Sequence, residues 1–283
     1  MPVYPLKFHI GPFEITGFGL MVMAGFLMAG WSMQRNLQER KLNEQYAWDI
    51  VFAAVVGGLI GAKLWYWALY PRWDALFSRS GMVWYGGLAG GSLAVLMNGW
   101  RLKIPTRLTA DLVAPALAVG YAMGRIGCFL VQDDYGVPTT LPWGLKFPEG
   151  LPASTAANLG EWGIDIPPGT APFEVLAVHP TQLYEVAAML LVFWILWRLR
   201  ANRHGMGWLF GIYLVTAGAE RFLIEFIRAK DDRILGSLTV AQLASVAVIA
   251  IGVALMSRFW RQDDFTGERV EALKLTGRNR HKG

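Results

Sequence analysis

Apolar stretches of about twenty residues recur along this 283-residue chain, and no other feature limits its fold so strongly. A helix of that length rises about 30 Å, the thickness of a bilayer's hydrocarbon core. Seven such stretches are legible, at 14–33, 48–70, 83–100, 108–131, 181–198, 207–227 and 238–257. Hydrophobic residues make up 54% of the chain and charged residues 17%; a soluble domain carries about 25% charged residues. The fold class expected is an all-α polytopic membrane protein of seven transmembrane helices. The expected organisation is an N-terminal outer arm over 1–13, spans one to four over 14–131, an outer head region over 132–180, spans five to seven over 181–257, and a basic tail over 258–283. The opening stretch, MPVYPLKFHIGPFEITG, lacks a basic region followed by an apolar one, so no signal peptide is expected there.

Within that frame the net charge of +5 is a topology signal and not a nucleic-acid footprint. Loops after spans one, three and five carry Arg35, Arg40, Lys41, Arg101, Lys103, Arg107, Arg198, Arg200 and Arg203, and the tail adds seven more cations. The opposite side holds Lys7, Arg72, Arg79, Lys146, Arg228, Lys230 and Arg233, and segment 132–180 is acidic. Cationic loops stay in the cytoplasm. The N-terminus and the head are therefore expected outside, and the C-terminus inside.

Three cations remain, and all fall within spans: Lys63, Arg125 and Arg221. A charge at the bilayer centre costs roughly 2.5–3.5 kcal/mol on insertion scales, so such residues face a protein interior or a wet cavity. Lys63 could instead snorkel or pair with an acid. Arg125 is the second residue of GRIGCFLVQDDYG, 124–136, which also holds the chain's only cysteine, Cys128, and two carboxylates, Asp133 and Asp134. Arg221 belongs to ERFLIEFIR, 220–228, where Arg221, Glu225 and Arg228 share one helical stripe. Guanidinium keeps its charge when buried and grips phosphate oxygens as a fork, so two deep arginines near the outer leaflet suit a lipid phosphate. The bland alternative is a pair of bridges, Arg221 with Glu225 and Arg125 with Asp133, that tie helices together. A third polar element, HPTQLYE at 179–185, stands at the entrance to span five, where His179 can serve simply as a structural hydrogen-bonder. The histidines are scattered, so neither a metal nor a cofactor is expected.

The order and spacing of these motifs resemble the prolipoprotein diacylglyceryl transferase family, from about 14 to 257. GFGLMVMAGF in span one, GGLIGAKLWY in span two and WYGGLAGG at span three belong to the same resemblance. The resemblance implies an enzyme of the bacterial inner membrane that moves diacylglyceryl from phosphatidylglycerol to the lipobox cysteine thiol of a prolipoprotein signal peptide. A thioether forms and glycerol phosphate leaves. By motif position Arg125 is the family's signature arginine, Arg221 its later essential arginine, Glu225 that arginine's acidic neighbour, and Gly136 the end of the signature. The attacking thiol belongs to the substrate, so Cys128 need not be a nucleophile; many members have Asn there.

The resemblance also exposes departures. Many members carry a histidine in an HGG motif at span three, where this chain has Tyr85 before Gly86 and Gly87. The family's span-one tyrosine is Phe18, and the signature's Asn and Glu positions are Val131 and Asp133. The catalytic set expected is Arg125, Arg221, Tyr85, Asp133 and Glu225. Phospholipid contacts are expected from Arg125, Arg221, Gly86, Gly87, Gly136, His179 and Tyr184. The alternatives are a divergent lipid transferase with another donor or acceptor, and a non-catalytic phospholipid-binding membrane protein.

Overall fold

The computed structural model describes residues 1–11, 13–73, 81–201, 204–229, 233–235 and 238–261. Arg79, Arg203, Lys230 and the tail beyond position 261 lie outside the described residues. A hairpin of β1 (Lys7–Ile10) and β2 (Phe13–Thr16) leads into α1 (Gly17–Glu39), then α2 (Gln45–Leu69), α3 (Trp84–Arg101) and α4 (Thr106–Val131). A head follows, with β3 (Leu145–Lys146), α5 (Ala156–Glu161) and β4 (Ala177–Val178). The chain then continues through α6 (Thr181–Leu199), α7 (Trp208–Ile224), a 3-10 turn (Glu225–Ile227), β5 (Arg233–Leu235), β6 (Leu238–Thr239) and α8 (Val240–Arg258).

Five of these helices, α1, α2, α4, α6 and α8, are long and apolar enough to cross a membrane. The molecule is a mostly helical, polytopic membrane protein. Its outer surface supports the reading: Phe52, Leu59 and Ile60 on α2, Leu93 and Met97 on α3, and Val246, Ile251 and Val253 on α8 are all exposed. Such faces suit lipid rather than water. Two further long helices coincide with the remaining apolar runs. α3 has five glycines among its 18 residues, and α7 is 17 residues long with Glu220 and Arg221 near its end. The largest boundary difference is at α1, which continues to Glu39 although its apolar run stops at 33. The extra turns are polar and are supported by an Arg35–Glu39 ion pair one turn apart.

Lipid tails give apolar helices no hydrophobic reason to associate, so close backbone approach and van der Waals contact must hold them. The crossing of α2 with α3 is built that way. Gly57 and Gly61 face Gly86 and Gly90, and a Cβ at Gly61 would stand 2.8 Å from the Gly90 Cα. α1 lies along α4, α4 along α6, and α7 along α8. One polar tie crosses the core. Asp111, inside α4, accepts hydrogen bonds from the backbone N–H groups of Gly207 and Phe210, each at 2.9 Å. It thereby satisfies the open N-terminus of α7 from a neighbouring helix.

The head has its own small core of Tyr135, Phe147, Leu159 and Val178, joined by Ala229 from beyond the 3-10 turn. β3 pairs antiparallel with β4. The N-terminal arm fastens beneath it: Val3 N–H donates to Lys146 O and Leu6 N–H to Leu130 O. These ties fix the head over the end of α4, where the charged motifs gather.

Candidate active site

The last turns of α4 place Tyr121, Arg125 and Cys128 along one face, at spacings of four and three. Arg125 Nε forms an ion pair with Glu185 Oε2 at 2.9 Å and donates to the Tyr121 hydroxyl at 3.2 Å, and Nη1 donates to Asp134 Oδ2 at 3.0 Å. Nη2 donates to the Tyr121 hydroxyl at 3.1 Å, and that hydroxyl in turn donates to Glu185 Oε1 at 3.0 Å. Only 12% of the Arg125 side chain is exposed, and 1% of Glu185. The guanidinium fork is thus occupied by protein groups on nearly every side.

How Asp134 reaches back to Arg125 depends on the turn that ends α4. Gln132 and Asp134 both adopt left-handed backbone, with φ of 64° and 58°. Asp tolerates that region better than most residues. The turn reverses the chain, and α6 then holds it. Thr181 Oγ1 donates to the Asp134 carbonyl at 2.7 Å, and Gln182 Nε2 to the Asp133 carbonyl at 2.6 Å. Gly136 packs where no side chain fits: a Cβ there would lie 2.7 Å from Thr181 Cγ2 and overlap the Ile227 carbonyl. Its close approach lays segment 136–137 beside Ile227 and Arg228, and Arg228 Nη2 donates to Asp134 Oδ1 at 2.6 Å.

Arg221 differs from Arg125. Its Nη1 lies 2.5 Å from Glu225 Oε2, an ion pair without hydrogen-bond alignment, and 29% of its side chain is exposed. The sequence stripe of Arg221, Glu225 and Arg228 does not run through one continuous helix. α7 ends at Ile224, a 3-10 turn covers Glu225–Ile227, and Arg228 is extended. That break turns Arg228 toward the head and Asp134 instead of leaving it above Arg221. Arg125, Arg221 and Arg228 nevertheless share one electrostatic neighbourhood, because all three act on Glu185 and Glu220.

The remaining sequence candidates fall into three places. Asp133 lies against the Cys128 thiol and, unlike Asp134, is in no ion pair among the described residues; burial raises its pKa above the usual carboxylate value. Cys128, Asp133 and Asp134 bring ligand-type atoms within 4.8 Å of one another, but both Asp134 oxygens already serve arginines. His179 and Tyr184 form a relay at the start of α6. Trp143 Nε1 donates to the Tyr184 hydroxyl at 2.8 Å, leaving its proton for His179 Nδ1 at 3.2 Å. Burial lowers the His179 pKa, which favours the neutral ring. Tyr85 is 66% exposed on the first turn of α3, edge-on to Trp84. No hydrogen bond joins it to the Arg125 cluster among the described residues. Gly86 and Gly87 face α2, where their missing side chains serve the helix crossing. Tyr121 was not legible as a site residue, since a tyrosine in an apolar run resembles packing; its place four residues before Arg125 was the only signal.

The profile of prolipoprotein diacylglyceryl transferase matches residues 5–258, nearly the whole chain. The chain belongs to that family. Among similar proteins, the phosphatidylglycerol–prolipoprotein diacylglyceryl transferase of Cupriavidus pinatubonensis is 33% identical, with 93% of this chain and 94% of that protein covered. The transferase of the same name from a Nostoc species is 32% identical over 96% and 95%. That of Nitrosomonas europaea is 28% identical over 98% and 97%. Identity spread over both chains' full length does not favour a changed or silent activity.

Proposed function

We propose that this protein transfers the diacylglyceryl group of phosphatidylglycerol to the lipobox cysteine thiol of prolipoproteins at the bacterial inner membrane. Family membership across residues 5–258 carries the proposal. The cluster of three guanidinium groups with interleaved carboxylates supports it, because the reaction needs positive charge where a phosphate ester departs. Seven helices span the membrane, with the head and N-terminus periplasmic and the C-terminus cytoplasmic; the distribution of Lys and Arg supports that orientation.

The substrate thiolate attacks the glycerol carbon that bears the phosphate. A carbon–sulfur bond forms, the carbon–oxygen bond breaks, and its electron pair leaves on the phosphate of glycerol phosphate. Arg221 holds that phosphate, since its donors are the least committed, and Arg228 assists from the other side of Asp134. Arg125 orders the site: its bonds to Glu185, Asp134 and Tyr121 keep the head, α4 and α6 in register around the lipid, and its field adds to that of Arg221. Gly136 shapes the same junction. Tyr85 meets the lipid at the membrane surface, with Gly86 and Gly87 bringing α3 close to α2 behind it. His179 and Tyr184 border the head group. A carboxylate takes the thiol proton, for which Asp133 and Glu225 are the candidates read from sequence.

Complementation tests the proposal in cells. In a strain depleted of its own transferase, the wild-type gene restores lipidated lipoproteins and growth, and Arg221→Ala does not. Equal rescue by Arg221→Ala would remove the role given to that residue, and absence of rescue by the wild type would count against the activity itself.

A further inference from the structure

The carboxylates of the site are not equivalent: most are held by arginines, and two are not. Asp134 gives one oxygen to Arg125 and the other to Arg228. Glu185 gives its two to Arg125 and the Tyr121 hydroxyl. Glu225 is paired with Arg221. A carboxylate held by guanidinium is stabilised as the anion and accepts protons poorly. Glu220 and Asp133 are the exceptions. Neither forms an ion pair among the described residues, and each has a buried oxygen, Oε1 of Glu220 and Oδ1 of Asp133, without a hydrogen-bond partner.

The surroundings of Glu220 argue against a lipid-facing accident. Tyr213, one heptad earlier on α7, packs into the core shared with α4 and α6, as do Ala217 and Tyr121. Glu220 therefore points inward from the outer end of that face. The groups acting on it are Tyr121 and Arg125 from α4, Glu185 from α6, Tyr213 and Arg221 from its own helix, and Arg228 from beyond the 3-10 turn. α8, packed along α7, contributes no titratable side chain before Arg258 in its last turn.

Resting on the transferase reading above, we infer that Glu220 is the catalytic base that removes the proton from the acceptor thiol. Consecutive residues project about 100° apart around a helix, so Glu220 and Arg221 do not face each other. The Arg221 charge nevertheless acts on Glu220, which leaves a carboxylate outside the ion pairs in the field of the guanidinium that receives the phosphate. As the sulfur attacks, its proton passes to a Glu220 oxygen, the carbon–oxygen bond breaks, and the phosphate takes the electron pair at Arg221. The proton then returns to the released phosphate monoester or to water. Asp133, the other carboxylate outside the ion pairs, lies against the chain's own Cys128 thiol rather than beside Arg221.

The test uses purified full-length protein, phosphatidylglycerol vesicles and two lipobox peptides, one with cysteine and one with selenocysteine at the acceptor position. A selenol is far more acidic than a thiol and needs no base. With the thiol peptide, Glu220→Gln is expected to lower kcat about 10²–10³-fold, typical for a lost general base. KM for the lipid is expected to change less than about threefold. With the selenol peptide the deficit should shrink to less than about tenfold. A Glu220→Gln variant as fast as wild type, or equally slow with both acceptors, overturns the inference while leaving the transferase reading intact. Wild-type protein that yields no thioether overturns both. If Glu220→Gln does not accumulate, Glu220→Asp is put through the same comparison, and a deficit equal for both acceptors is again the contrary result.

Discussion

Arg228 Nη2 stands 2.6 Å from Oδ1 of Asp134, joining residues 94 positions apart. The other oxygen of Asp134 meets Arg125, so one carboxylate bridges two guanidinium groups that lie 103 positions apart in the chain. Removing that carboxylate leaves two partly buried cations facing each other without compensation. Breaking one partner of a buried pair costs about 3–5 kcal/mol. Asp134→Ala is therefore expected to lower the unfolding temperature in detergent strongly, and Asp134→Ala with Arg228→Met to recover part of the loss. Thermal unfolding of the two variants measures this; no recovery in the double variant would show that the pair is not coupled.

Arg221 carries the phosphate in this account. Loss of a preorganised donor to a developing anion costs about 10²–10³ in rate. Arg221→Ala should lose at least that much activity and some thermal stability, since Glu225, with 3% of its side chain exposed, would lose its ion-pair partner. Arg125→Ala should lose both activity and stability, because Glu185 would be left buried and unpaired. Paired activity and unfolding measurements separate the two arginines: the loss of stability should be larger in Arg125→Ala, whose guanidinium ties Glu185, Asp134 and Tyr121 together.

Cys128 offers a control. The acceptor thiol belongs to the substrate, so Cys128→Ala should keep transferase activity within about threefold, because the chain's own thiol is a small, weakly polar packing group. A loss of two orders of magnitude in the peptide assay would return this thiol to the mechanism.

Asp111 is a structural prediction of a different kind. Its carboxylate accepts from Gly207 and Phe210 at the start of α7. Asp111→Ala removes two charge-assisted hydrogen bonds and leaves buried N–H groups open. Hydrogen bonds to a charged group are worth about 1.5–3 kcal/mol each. The unfolding temperature should fall without a change in KM for the lipid.

The head should also show a pH response. Burial lowers the His179 pKa in the folded state. Below the ordinary imidazole value of about 6.5, the unfolded chain binds the proton more readily than the folded one. Stability contributed by neutral His179 is thus present above that pH and is lost as pH falls through it toward the lowered folded value. Unfolding temperatures between pH 8 and 5 should drop more steeply in wild type than in His179→Gln.

Much of this was legible in the sequence, because a bilayer imposes a length on each apolar run. The seven runs coincide with long helices, and five of those meet the length and apolarity needed to cross a membrane. Arg125 and Arg221 stood out because cations inside apolar runs are costly. What periodicity could not show was the turn at Gln132 and Asp134, whose left-handed backbone aims Asp134, and not Asp133, at the arginines. Nor could it show that the helix changes to a 3-10 turn at Glu225, which separates Arg228 from the Arg221 stripe. Glu220 looked like one acid among several. Its distinction lies in what its neighbours already hold, and only the assembled structure shows that.

The central claim, that this chain moves diacylglyceryl onto a substrate sulfur, is tested most directly by incubating purified protein with phosphatidylglycerol labelled in both acyl chains and head group, together with a lipobox peptide. The expected result is acyl label in a thioether on the peptide and an equal amount of head-group label released as glycerol phosphate. Lipid that stays bound and intact while the peptide remains unmodified would contradict it.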